Sequence, residues 1–253
     1  MSFISILILA VLGLFVGSFL NVCIDRLPRG QSIISPPSHC PACNRKLGIL
    51  DLMPLLSYVW LRGKCRYCRA HIPFRLPLVE GITAILFGFL YWKLGPGLEL
   101  GMFLVYASLL IIIFFIDLEN QLVLDKVTYP GMIIAFVFSF FLPEPGVRSV
   151  LVGGAVGSGV MAMIYIAVFL IFRREGLGFG DVKMAALIGL MVGFPLVIEA
   201  LLLSWISGGV VAAILLAFKI KGRQDMIPSA TFMAIAAMVT LLWGQVIYRW
   251  YMP

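Results

Sequence analysis

Charge is what this sequence has least of. Asp, Glu, Lys and Arg make up 12% of its 253 residues, while 62% are hydrophobic; soluble domains carry about a quarter charged. A water-soluble fold of this length could not bury so much apolar surface. The mean hydropathy of +1.06 therefore makes lipid the main solvent. Histidine is nearly absent, with only His39 and His71. No Ser-His-Asp set can be assembled, and cysteine proteolysis has no base, so a hydrolase built on this chain must work with acids. Also missing are a solenoid-period repeat, a low-complexity tract and a strand-turn-helix glycine fingerprint for a nucleotide-type cofactor. The net charge of +7 does not call for nucleic acid, because in a membrane chain a basic excess reports topology.

What is present is a series of apolar runs broken by charges, Gly and Pro. Eight spans are expected, near 3–24, 76–94, 99–118, 127–142, 148–172, 182–197, 199–218 and 229–248. Two of them, 127–142 and 182–197, fall short of the roughly 20 residues that cross hydrocarbon as a helix. The first run has no basic residue before it and no Ala-x-Ala site after it, so it reads as a retained helix rather than a cleaved signal. The expected class is all-α, a polytopic helical bundle with one small polar module.

That module, residues 25–75, holds nine basic side chains against Asp25 and Asp51. Taken as cytoplasmic, its side also receives Lys126, Arg173, Arg174, Lys183, Lys219, Lys221 and Arg223. The other side receives Lys93, Arg148 and Arg249. Sixteen against three is a strong positive-inside asymmetry. The expected division is a first helix at 1–24, the module at 25–75 and a bundle at 76–253.

Within the module, Cys40-Pro-Ala-Cys43 and Cys65-Arg-Tyr-Cys68 are two C-x2-C pairs separated by 21 residues. Each tight turn can aim two thiolates at one point, and two turns complete a tetrahedral site, for which Zn2+ is the expected ion. Disulfides compete, but a cytoplasmic loop is kept reducing. Four sulfur ligands leave no open position, so the site reads as structural. Cys23 reads as an apolar packer, and His39 and His71 as loop residues or neighbours of the ligands.

Ionisable groups at membrane depth are the default place to seek function. Glu99, Glu144 and Glu199 read as outer-loop residues, and Glu175 and Asp225 as inner-loop ones. Asp117 closes the apolar run 109–116, at the inner end of the third span. Asp181 follows Gly176-Leu177-Gly178-Phe179-Gly180 and opens the sixth span, again on the inner side. Those glycines permit close approach and positive φ. Two neighbouring carboxylates share a proton: one activates water and the other protonates the developing oxyanion or leaving nitrogen. The plainer alternative makes Asp181 a helix N-cap.

Several motifs together resemble the type IV prepilin peptidases, the bifunctional leader peptidase/N-methyltransferases of pilus and type II secretion systems. They are Gly17-Ser18-Phe19-Leu20-Asn21-Val22 with Arg26-Leu27-Pro28, the C-x2-C pairs, Pro54-Leu55-Leu56-Ser57-Tyr58 and Gly63-Lys64-Cys65. Arg75-Leu76-Pro77-Leu78-Val79-Glu80 follows, then Ile116-Asp117 with Gln121-Leu122 and Asp125, and Gly178-Phe179-Gly180-Asp181-Val182-Lys183. The resemblance implies a bacterial inner-membrane aspartic endopeptidase with Asp117 and Asp181 as the catalytic pair. Asp125, Gly178, Gly180 and Lys183 support it. Its substrates would be prepilins or pseudopilins, cut after a basic leader at the cytoplasmic face. S-adenosyl-L-methionine would then methylate the new N-terminus. The expected donor site draws on Asn21, Arg26, Gly63, Lys64, Arg75 and Glu80, with Glu80 facing either a sulfonium or substrate amine, or an internal partner in Arg75 or Arg69.

Two departures from the family pattern stand out. Leu124 replaces a Pro before the second acid, and Ser229-Ala230-Thr231 stands where Phe-Gly-Pro is usual after Ile227-Pro228. Neither is expected to touch the catalytic pair. The rival readings are an ion-coupled transporter with the two acids as relay groups, and a membrane-anchored zinc-ribbon adaptor.

Overall fold

A computed structural model describes residues 2–141, 145–172, 178–220, 222 and 227–251. Outside those residues lie Arg173, Arg174, Lys221 and Arg223 of the basic count, the acids Glu144, Glu175 and Asp225, and Gly176-Leu177. The described chain is helical: α1 Phe3–Arg26, α2 Leu56–Trp60, α3 Arg75–Leu94, α4 Leu98–Asn120, α5 Asp125–Phe138, α6 Gly146–Phe172, α7 Phe179–Val192, α8 Leu196–Ala217 and α9 Ser229–Tyr251. The only extended pairing among the described residues is two single bridges, His39 with Lys46 and Lys64 with His71.

Eight of these helices fall on the eight apolar runs, and α2 is an addition inside the module. Six, namely α1, α3, α4, α6, α8 and α9, are long and apolar enough to cross a membrane. The short runs become α5 and α7, of 14 residues each. At 1.5 Å per residue that is about 21 Å, against a hydrocarbon core of about 30 Å.

The chain divides into two compact units, Met1–Ile112 and Ile113–Pro253, with the boundary inside α4. In the first unit α1 lies against α3 at near backbone contact. A Cβ at Gly13 would sit 2.7 Å from Ala84 Cα, and one at Gly17 would sit 2.7 Å from Glu80 Cα. The Gly13-x3-Gly17 spacing makes that approach feasible, as small residues do between helices in lipid. Thr83 and Val79 are sealed in this seam, and the Thr83 hydroxyl donates to its own helix at Val79 O, 2.7 Å.

In the second unit α6 crosses α7 where Gly153 and Gly189 meet backbone to backbone. Met184, Leu187 and Ile188 of α7, Val197 of α8 and Ala234 and Ala237 of α9 are almost wholly enclosed. The α7–α8 corner turns at Gly193, φ +74. It is tied to α6 by Ser149, whose hydroxyl donates to Phe194 O (2.7 Å) and whose carbonyl accepts from Phe194 N–H (2.9 Å).

Candidate active site

Asp117 lies one turn before the end of α4, and Asp181 lies in the first turn of α7. Both are 4% exposed. The N-cap of α7 is Gly178, so Asp181 is the third residue inside the helix and not its cap. Gly178 has φ −75°, and neither it nor Gly180 is among the glycines at positive φ. Gly180 instead serves close approach: a Cβ there would meet Val123 Cβ at 2.8 Å.

Both carboxylates converge on the first turn of α9. Ser229 Oγ donates to Asp181 Oδ1 at 2.6 Å. The Thr231 N–H donates to Asp117 Oδ2 at 2.7 Å, and Thr231 Oγ1 reaches the same oxygen at 3.0 Å. The opening turn of a helix carries amide donors without intrahelical partners, which suits it to a carboxylate. The two acids, 64 residues apart in sequence, are thus held two residues apart on one helical turn. The expectation that Ser229-Ala230-Thr231 stays clear of the pair is overturned, since these departures from the family pattern are its direct hydrogen-bond partners. The available signal was a Ser and a Thr just after Ile227-Pro228, at a helix start.

Two of the residues expected to support the acids, Asp125 and Lys183, meet each other. Lys183 Nζ pairs with Asp125 Oδ1 at 2.5 Å and sits over the Phe179 and Tyr129 rings, 5.3 and 5.6 Å from their centroids. Asp125 opens α5, so this pair ties the starts of α5 and α7 together.

Glu199 is a second correction. Expected in an outer loop, it lies in α8 at 4% exposure, and neither carboxylate oxygen has a hydrogen-bond partner. A Cβ added at Gly244 of α9 would lie 3.5 Å from its Oε1.

In the first unit the four thiols gather. One sulfur from each of Cys40, Cys43, Cys65 and Cys68 lies within 4.8 Å of all the others, and Cys40 and Cys68 are 3.8 Å apart. With metal–sulfur bonds of about 2.3 Å, a tetrahedral site has edges of about 3.8 Å, so the donor set fits such an ion. The two turns are built alike. The Cys40 and Cys65 N–H groups donate to Arg45 O and Ala70 O, and their carbonyls accept from Asn44 and Arg69 N–H. Asn44 and Arg69 both adopt the left-handed region, at φ 55° and 62°. Within the cluster the Cys43 amide draws the Cys40 thiol down to about 7, while burial and the neighbouring thiols push Cys68 up to about 11; a metal would displace the remaining protons. All five cysteines are free thiols, and Cys23 is buried within α1. Arg45 stacks over Tyr67 at 4.4 Å, and Asp51 pairs with Arg66 at 2.7 Å, bracing one turn against the other.

Of the six residues expected around a methyl donor, three collect along the α1–α3 seam. Asn21 Nδ2 donates to Leu76 O at 2.9 Å, and its Oδ1 is buried without a partner. Arg75 pairs with Asp25 at 2.6 Å. Glu80 Oε2 accepts from Leu55 N–H at 2.8 Å. Arg26 turns to the Ser32 carbonyl at 3.0 Å. Gly63, at φ +69°, is covered by the Tyr58 hydroxyl, and Lys64 is in the bridge to His71. Asn21 is therefore the open acceptor in this group, while Glu80 is engaged internally.

The fold and these groups define a polytopic helical membrane protein with a paired-carboxylate site and a four-thiol module. Residues 11–94 match the bacterial peptidase A24 N-terminal domain, and residues 104–213 match the type IV leader peptidase family. The chain is 34% identical over 263 residues to a prepilin leader peptidase/N-methyltransferase of Aeromonas hydrophila, covering 94% of this chain and 91% of that one. It is 33% identical over 251 residues to the protein of that name in Bacillus subtilis (strain 168), covering 96% of each. Against the Myxococcus xanthus (strain DK1622) protein of that name it is 39% identical over 208 residues, covering 82% of this chain and 62% of that one. The chain belongs to the type IV leader peptidase family. No solved structure matches it, and the transporter alternative finds no support in these relatives.

Proposed function

We propose that this protein removes the basic leader from type IV prepilins or pseudopilins at the cytoplasmic face of a bacterial inner membrane, and then methylates the new N-terminus. The observation that carries the reading is the shared grip of α9 on Asp117 and Asp181. One carboxylate, ionised, takes a proton from the attacking water. The other, neutral, donates its proton to the tetrahedral oxyanion; on collapse the first acid passes the water proton to the leaving nitrogen and the diol hydroxyl returns a proton to the second, so the pair again shares one proton. Burial keeps bulk water from competing, and the Thr231 donors hold the Asp117 oxygen in place. Asp125 and Lys183 fix the neighbouring helix starts.

Charge distribution supports the cytoplasmic side, which also suits a basic leader retained there. The division into a first helix (1–24), a cysteine module (25–75) and a peptidase bundle (76–253) goes with this reading. The Cys40, Cys43, Cys65 and Cys68 sulfurs would hold Zn2+ as a staple for a module with little core of its own. S-adenosylmethionine, when bound, supplies the methyl group. Asn21 Oδ1 fits as an acceptor for it, with Arg75 and Glu80 shaping that wall.

Mass spectrometry of a co-expressed pilin tests both steps, since leader loss and the mass of one added methyl appear in one spectrum. Asp117→Asn and Asp181→Asn, made separately, should each abolish leader loss with helical content unchanged. Complete processing by both variants rules the pair out as the catalytic groups.

A further inference from the structure

The module presents an apolar face that its own fold does not cover. Along the 3₁₀ turn Ile49–Asp51 and helix α2, Ile49 is 86% exposed, Val59 72%, Trp60 86% and Leu56 62%. Phe74, just ahead of α3, is 64% exposed and stacks edge-on to Tyr58 at 6.5 Å. In water such a cluster would be a liability.

Its depth says what covers it. Helix α3 has 20 residues, about 30 Å, which is the thickness of the hydrocarbon core. Arg75 and Lys93 sit at its two ends, as interface anchors do. Glu80 lies five residues inside that helix, about 7 Å below the Arg75 boundary. The Leu55 N–H donates to Glu80 at 2.8 Å, so the chain entering α2 is fastened at membrane depth. Leu55 takes φ +57° to make that turn, an unusual conformation for Leu. The spanning helices α1 and α3 also expose large apolar side chains, with Phe15 at 56%, Phe19 at 51% and Leu78 at 40%. Directly after α2 come Arg62, Lys64, Arg66 and Arg69, the charge pattern that meets anionic headgroups.

We propose that residues 49–60 are a membrane-interface element: Leu56, Val59 and Trp60 enter the headgroup–acyl boundary of the bilayer that α1 and α3 span, pinning the cysteine module to the membrane. The Glu80–Leu55 bond sets the depth, and the basic residues that follow α2 stay at the headgroups. An element of this kind is buried about 5–10 Å into the boundary.

The test uses the full chain, reconstituted without pilin in phosphatidylethanolamine/phosphatidylglycerol vesicles, with Trp60 replaced by the photo-crosslinker p-benzoylphenylalanine. Irradiation should give a protein–phospholipid adduct by intact mass. Absence of a lipid adduct overturns the proposal, and so does an adduct formed only with pilin when pilin is added. Should that variant fold poorly, the emission difference between wild type and Trp60→Phe replaces it. Trp60 emission should fall at least twofold more with brominated phospholipid than with aqueous iodide, and the reverse order overturns the proposal.

Discussion

Thr231→Val removes one hydrogen bond from the proposed catalytic pair, Asp117 and Asp181, while keeping side-chain shape. The Thr231 N–H still reaches Asp117 Oδ2 at 2.7 Å, but the hydroxyl donor at 3.0 Å is lost. A hydrogen bond to a charged acceptor contributes about 1.5–3 kcal/mol. If that bond holds Asp117 where the transition state needs it, the whole amount appears in the barrier, and kcat falls about 10- to 150-fold. The assay is leader cleavage of a prepilin in detergent or proteoliposomes, with kcat and KM determined separately. KM should hardly move, because the Thr231 hydroxyl is engaged with the acid. Thr231→Ser restores a hydroxyl on the same backbone and should recover most of the rate. Ser229→Ala, which strips Asp181 of its 2.6 Å donor, should lose a similar factor. An unchanged kcat in both Thr231→Val and Ser229→Ala would refute the view that α9 positions the pair. A matched fall in thermal stability with no rescue by Ser would reduce Thr231 to a packing residue.

Three further outcomes are expected. Cys40→Ser should release Zn2+, read by metal analysis of purified protein, and impair methylation before leader cleavage; wild-type protein free of zinc would contradict the assignment. Gly180→Ala forces a Cβ to 2.8 Å from Val123 Cβ, which should cost about 1–3 kcal/mol as overpacking and lower the thermal midpoint. Adding Val123→Ala should return most of that loss, and independent, additive effects would show that the two do not meet. Glu199→Gln should leave the midpoint level or raise it, because both carboxylate oxygens are buried without partners and such burial costs about 1–3 kcal/mol. A sharp drop would mean that Glu199 is paired.

Much of the architecture was legible because lipid imposes a simple rule: apolar runs of sufficient length become helices. The breaks at Asp117-Leu118-Glu119-Asn120 and at Gly178-Phe179-Gly180-Asp181 marked helix ends as well as acids. The C-x2-C spacing likewise foretold two like turns, since each pair closes within one local hairpin. Local pattern could not reveal contacts made over long separations. Thr231 meets Asp117 across 114 residues and Ser229 meets Asp181 across 48. Glu199 lies beyond local pattern because a charge between apolar runs looks like a loop, and its burial leaves no trace near position 199. The bond from Leu55 to Glu80 was hidden for the same reason, with its donor in the main chain and therefore silent in sequence.

Because α9 donates to both carboxylates from a single turn, the two acids share one mechanical reference. A shift of that helix along its axis would move the donors of Asp117 and Asp181 together, and would leave neither acid correctly placed while the other drifted. The site therefore has one geometric setting instead of two. Anything that pulls on the segment just before Ser229 acts on the whole pair at once.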